Sequence, residues 1–458
     1  MRPAATPASA KDEPHADSHV RFVYASLFIG VVGGFSLAVW LPIAGALGRI
    51  NLSWVTHAQL HGHMQVAGFA GLFVLGVLTK LAPRFGNGNE VNKGLLDVAF
   101  VCLTVGLALR VGGQPLAGHA PFAVALAIGP ALEFVGTAAA ATAIGAVLWP
   151  AAASGAPHAM LIVGGLGWWT LQAALSAGWY IDLARDGGTV LRSDRDSVVL
   201  VMQVYGGLLG VFAGVGLRTF PTFFAMPAPS IRLGRGAAVL LWAGVIAWSA
   251  TGFASTRGHD FDAVMALGQA GVGTGILVLV SATGWWRKEM RLAAASQPLA
   301  WPLRMTLIAL TSTGVLLLAT GLAALLRGTP TSAHTLDAAR HVFTVGVVTQ
   351  GIVTMAQLIL PEFASERLVH RPSPWRGILL GVGLASAAVL RGVVPLLGLT
   401  GTVGLWLMAV GGGLAFTSMA TFAIAFWRAR RMHVAYLAKV AKWRLQPIEV
   451  RGTPPGAE

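Results

Sequence analysis

The 458 residues carry 55% hydrophobic side chains and only 11% charged ones, with a mean hydropathy of +0.69, whereas a soluble globule carries about 25% charged residues. That balance excludes a soluble globular domain and places the chain in lipid. The formal charge of +14 does not mark a nucleic-acid partner, because the basic residues stand in short clusters between apolar runs, where they set topology and meet anionic headgroups.

Residues 1–21 are polar, of mixed charge and proline-containing, and read as a cytoplasmic tail rather than a signal peptide. Apolar stretches long enough to cross ~30 Å of hydrocarbon follow at 22–46, 57–81, 94–111, 122–149, 158–181, 196–219, 235–255, 262–286, 301–326, 335–360, 375–397 and 402–428. They predict an all-α integral membrane protein of about twelve transmembrane helices, with no separate soluble domain and a second tail over 429–458. The fourth stretch contains Pro130 and Glu133 and is a candidate for a kink. The single cysteine, Cys102, lies within an apolar run, so one thiol excludes a disulfide framework, a Cys-rich metal site and covalent haem attachment.

With twelve spans, both termini and the loops after even-numbered helices share one side. That side holds 23 of the 32 Lys and Arg residues; the other nine are Arg49, Arg110, Arg185, Arg192, Arg195, Arg257, Arg327, Arg340 and Arg391. The positive-inside rule then puts both termini in the cytoplasm of a cell inner (plasma) membrane.

An internal repeat runs through the chain. Three segments align without gaps: HMQVAGFAGLFVLGVLTKLAPRF at 63–85, VMQVYGGLLGVFAGVGLRTFPTF at 201–223 and HVFTVGVVTQGIVTMAQLILPEF at 341–363. Each has glycine five residues after its first position (Gly68, Gly206, Gly346), and each ends in Pro-x-Phe, at Pro83, Pro221 and Pro361. The predicted architecture is three pseudo-threefold four-helix repeats, over 22–150, 158–287 and 301–428.

His63 and His341 hold the same position in repeats one and three, where repeat two has Val201. Around a pseudo-threefold axis the two imidazoles would project at equal depth and could grip one haem iron of non-covalent, b type. The glycines one turn on would let a flat macrocycle lie close to the backbone. The plainer alternative is that each histidine is a helix-end residue bonded to a neighbour. His57, His61 and His334 gather at the same face, and one of them could ligate a second metal such as copper, with Met64 as a soft partner; they could equally be titrating residues at a wet interface. His61 and His63 point to roughly opposite sides of their helix. Arg110 and Arg391 end equivalent third helices and could bind haem propionates or simply anchor the interface. Glu133, the acid deep within a span, could serve a proton path, balance a buried cation or be protonated and bonded to a neighbouring helix. Tyr205, Gln203, Trp168 and Trp169 are candidates to line the central space.

His61-Gly-His63 followed by Gly68, the later His341 followed by Gly346, and twelve spans together resemble the NnrS family, bacterial inner-membrane proteins of the nitric-oxide and nitrosative-stress response that contain haem and copper. That resemblance implies a haem-binding membrane protein that binds, senses or helps detoxify nitric oxide. The chain departs from the family where Met64 follows the second histidine without an acidic residue, and where LILPEFASER replaces a histidine-bearing ending to the tenth helix. It is more distantly similar to subunit I of haem-copper oxidases, whose arrangement would make His63 and His341 haem ligands of helices two and ten and put Arg391 near a propionate. Helices six and seven have no histidine, and His341 has no second histidine beside it, so a three-histidine copper site cannot be built. Two further readings follow: a membrane redox enzyme or subunit linked to quinol or a cytochrome, with an electron-transfer partner, and a secondary transporter. A threefold repeat without a central charged cluster counts against the transporter.

Overall fold

The computed structural model describes residues 18–86, 88–286, 297–364, 374–399 and 401–445. All regular structure among them is helical, and twelve helices are long and apolar enough to span a membrane: α1 His19–Ala46, α2 Leu52–Phe85, α3 Lys93–Leu116, α4 Ala120–Ala153, α5 Pro157–Arg185, α6 Ser193–Phe223, α7 Ile231–Ser255, α8 Asp262–Thr283, α9 Gln297–Arg327, α10 Ala333–Leu358, α11 Leu379–Leu396 and α12 Thr402–Met432. The chain is a multi-pass membrane protein. Every expected span is present. Several helices extend beyond the expected stretch into polar caps, where Asn51 accepts from the Trp54 amide at the start of α2 and Asn92 from the Leu95 amide at α3, while α8 ends three residues short of its expected end, at Thr283. The segment 120–153 is one continuous helix through Pro130. The last helix continues to Leu445, into the stretch expected to be a tail; residues 1–17 and 446–458 lie outside the described residues.

The helices are arranged in a ring of three four-helix sets. Within each set the third and fourth helices pair closely (α3 on α4, α7 on α8, α11 on α12), and the fourth packs on the first helix of the next set (α4 on α5, α8 on α9, α12 on α1). The contact of α12 with α1 closes the ring. Small residues permit the closest crossings, as in membrane bundles generally: a Cβ on Gly106 would stand 2.7 Å from the Gly129 carbonyl, and one on Gly244 2.8 Å from the Gly268 carbonyl.

The second helices form the centre. Of their apolar stretches, 78% (α2), 89% (α6) and 67% (α10) is buried, against 28–56% in the other nine. Each switches to π-helical winding at the same place in the aligned segments: Met64–Gly71, Val201–Leu208 and Val342–Thr349. Such wide turns commonly mark functional segments. The aligned glycines sit within them, and their purpose differs from the expectation. A Cβ on Gly68 would lie 2.6 Å from Ile29, on Gly206 2.8 Å from Trp168 and on Gly346 2.9 Å from Ala309. These neighbours belong to α1, α5 and α9, the first helix of each set. The glycines therefore receive a helix, and no macrocycle fits against the backbone there.

Candidate functional site

Three gaps open between successive central helices, and their contents differ. In the gap of the first set, His63 on α2 bonds Glu133 on α4, Nε2 to Oε2 at 2.6 Å. Arg110 on α3 brings Nη1 to 3.2 Å from the same Nε2 and 3.8 Å from Glu133 Oε2. One ring nitrogen cannot donate and accept at once, so Nε2–H donates to the carboxylate and Arg110 is an electrostatic neighbour. The guanidinium lies 4.0 Å over the Tyr180 ring of α5. All three charged or titratable groups are buried, at 5% exposure for His63, 6% for Glu133 and 2% for Arg110. Glu133 stands 13 residues into α4, about 20 Å along the helix, which is mid-membrane.

In the second gap, position 201 is valine and Trp248 takes the place that Arg110 has in the first set. Tyr205 stacks on Trp248 with ring centroids 5.4 Å apart, and tilts against Phe343 of α10 at 5.9 Å. An aromatic plug fills this gap.

In the third gap, His341 Nδ1 faces the Asp337 carbonyl one turn back at 2.9 Å and the Asp337 carboxylate at 3.3 Å. Arg391 of α11 donates from Nη2 to His341 Nε2 at 2.8 Å, approaches Asp337 Oδ2 at 3.5 Å and donates from Nη1 to Met408 Sδ of α12 at 2.8 Å. The far wall is α1 and α2. There His61 bonds the Gly34 carbonyl through Nδ1 at 2.9 Å, and its electrostatic environment includes His341, Arg391 and Asp337. By helix length His61 and His341 stand about 14 and 12 Å from the starts of α2 and α10.

The expected pairing of His63 with His341 is thus corrected. His63 has Arg110 and Glu133 as its charged neighbours, and the histidine of α2 that faces His341 is His61. The reason is rotational. In a cyclic arrangement equivalent residues point into equivalent, separate gaps, so a residue facing His341 must come from a different face of α2. Arg110 and Arg391 are each engaged by a histidine and an acid of their own sets. Glu133 balances a buried cation, one of the roles open from sequence. Asp337 went unsought, although its place four residues before His341 could have signalled an i, i+4 pair.

The remaining candidates scatter. His57 bonds the Ser53 carbonyl at 2.6 Å and packs near Trp40, and His334 is exposed at the start of α10. Among the described residues no three His, Cys, Asp or Glu side chains converge to hold a metal ion, so the copper ligands considered do not assemble there. Met64 is packed against Gly33 of α1. Trp168 covers Gly206, while Trp169 and Gln203 line a small cavity beside His63.

A solved structure of a haem-copper terminal oxidase matches this one with a TM-score of 0.65 over 90% of this chain and 84% of that chain, at 12% identity. The fold is haem-copper-oxidase-like. No family model matches the sequence, and no curated protein does. Within that oxidase-like frame, the ring of three sets leaves one gap lined by two imidazoles, one by a buried ion cluster and one by aromatic rings.

Proposed function

We propose that this chain is a haem-binding membrane redox protein in which His61 and His341 would hold the haem. One observation carries the reading. Both imidazoles have Nδ1 against a backbone carbonyl, Gly34 for His61 and Asp337 for His341. A carbonyl only accepts, so both rings are Nδ1–H tautomers, which leaves a lone pair on each Nε2, and the two side chains are electrostatic neighbours. Metal-bound histidines are oriented in this way by their second nitrogen. Bound there, haem would supply one-electron transfer. Residues of this chain do the rest: Gly34 and Asp337 fix ring orientation, and Arg391, now on the His341 lone pair, would be released to meet a carboxylate. Copper has no comparable support among the described residues.

A second reading is favoured by Arg391. Because Arg391 holds the His341 Nε2 at 2.8 Å, His341 would hold a haem less firmly than His61, a property suited to a site that also takes a small gas. That supports the role in the nitric-oxide response suggested by the NnrS resemblance. We also place both termini in the cytoplasm of the inner membrane, on the distribution of Lys and Arg, and read the three four-helix sets as copies of one segment.

Protein purified in detergent from haem-replete cells should show a Soret band and a sharp alpha band on reduction. His61→Ala and His341→Ala should abolish both bands, and His63→Ala should retain them. A colourless wild type would end the haem reading; bleaching by His63→Ala but not by His61→Ala would overturn the ligand assignment.

A further inference from the structure

The gap of the first set holds a partly open cavity of about 40 Å3, lined by residues of α2, α4, α5 and α6. One wall is apolar, with Leu75, Leu166 and Trp169; the other presents His63, Glu133, Gln172, Ser176 and Gln203. On the polar wall, Glu133 Oε1 and Ser176 Oγ are buried and have no hydrogen-bond partner. Both residues are more than nine-tenths buried, at 6% and 3% exposure. Hydrocarbon surrounds the bundle at this depth, so neither atom can be satisfied from outside.

We propose that this cavity is an internal hydration site, holding water that completes the hydrogen bonding of Glu133 Oε1 and Ser176 Oγ. Charge selects a neutral occupant. Arg110 already balances Glu133 across 3.8 Å, so an added cation or anion would leave one buried charge uncompensated. Size selects a small one: the space exceeds the 10–15 Å3 or so that one water requires and admits only a few. Chemistry selects a molecule that both donates and accepts, since a carboxylate oxygen only accepts and a hydroxyl does either. Dry cavities are lined by apolar groups alone, and this one is not. The inference stands on α4 and α5 and does not depend on haem in the other gap.

Trp169 and Trp248 provide a matched test. Both indoles are buried, at 5% and 6% exposure, but Trp169 borders the cavity and Trp248 is stacked on Tyr205 in the aromatic plug. Radiolytic hydroxyl labelling of the full-length protein, read by mass spectrometry, should oxidise Trp169 several-fold faster than Trp248, because radicals form from water in contact with the ring. Ala140→Leu, which fills the cavity from α4, should bring Trp169 down to the rate of Trp248. Equal labelling of the two tryptophans in the wild type would overturn the proposal. If Ala140→Leu does not fold, a cryo-EM map that resolves ordered water decides in its place: density beside Glu133 supports the site, and an empty cavity overturns it. Optical spectra of the same samples report haem separately.

Discussion

Replacing Glu133 by leucine should be among the most destabilising single changes in the bundle, and removing its counter-ion as well should undo most of the damage. Glu133 Oε2 is 2.6 Å from His63 Nε2 and 3.8 Å from Arg110 Nη1, with both partners buried. Glu133→Leu takes the nearest carboxylate from the Arg110 guanidinium and leaves it the Tyr180 face at 4.0 Å, the His63 ring at 3.2 Å and the more distant Asp196, and breaking a buried pair on one side costs about 3–5 kcal/mol. Arg110→Met leaves the carboxylate in the same position at a similar cost. The double variant Arg110→Met/Glu133→Leu retains only the unsatisfied His63 donor, about 1–3 kcal/mol. The singles therefore sum to roughly 6–10 kcal/mol, well above the double, a coupling of several kcal/mol. Reversible unfolding in mixed micelles, read by circular dichroism, measures all four corners of the cycle. If the double variant loses the sum of the singles, the three residues do not act as one charge-compensated cluster, and the account of this gap fails.

Other consequences can be checked separately. With Cys102 replaced by serine, cysteines at 61 and 341 should cross-link with a short bifunctional reagent, whereas cysteines at 63 and 341 should not; the opposite pattern would reverse the assignment of faces on α2. Gly68→Val would place Cβ 2.6 Å from Ile29 and should cost about 1–3 kcal/mol by overpacking, largely recovered by adding Ile29→Ala; thermal unfolding reads both, and no loss in the single variant would contradict the close approach of α1. In haem-free protein, Arg391→Gln uncaps the His341 lone pair, so carbethoxylation of His341 should accelerate several-fold by mass spectrometry. An unchanged rate would mean that Arg391 does not hold that nitrogen.

Much of the fold was legible because bilayer thickness and backbone satisfaction leave little freedom: an apolar run of sufficient length must be a helix. The aligned Gly and Pro-x-Phe positions likewise located the second helix of each set, and the π-helical turns fall where the alignment put its glycines. The site was less legible, and the errors share a cause. Equivalence in sequence predicts similar partners, and His63 and His341 do each have an arginine from the third helix of their set and an acid at hand, though the acids come from different elements. Facing one another is a different relation, between non-equivalent positions, and no alignment of repeats reports it. His61 was visible as pointing away from His63; that it thereby points toward α10 required the order of helices around the ring. The glycines misled for a related reason: sequence marks where a side chain is excluded, not whether a cofactor or a neighbouring helix takes the space.

The second gap bears on why the other two carry charge at all. Val201 and Trp248 stand where the first set has His63 and Arg110, and Tyr205 and Phe343 close the space with aromatic packing. In this set aromatic rings close the space beside the central helix, and Arg340 and Asp337 of α10 are the charged groups nearest Tyr205. An arginine inside a bilayer is expensive and requires an acid close by, and the two charged gaps meet that requirement from different elements, Glu133 on α4 and Asp337 on α10 itself. A cluster rebuilt with a different acid in each place is not an inherited packing solution. On the two proposals above, the third gap would offer an imidazole pair to a haem, and the first would admit water to a carboxylate. Between them, Val201 and Trp248 fill the equivalent positions with apolar packing against Tyr205 and Phe343, so neither a histidine nor an arginine is required at those two positions for the helices to pack.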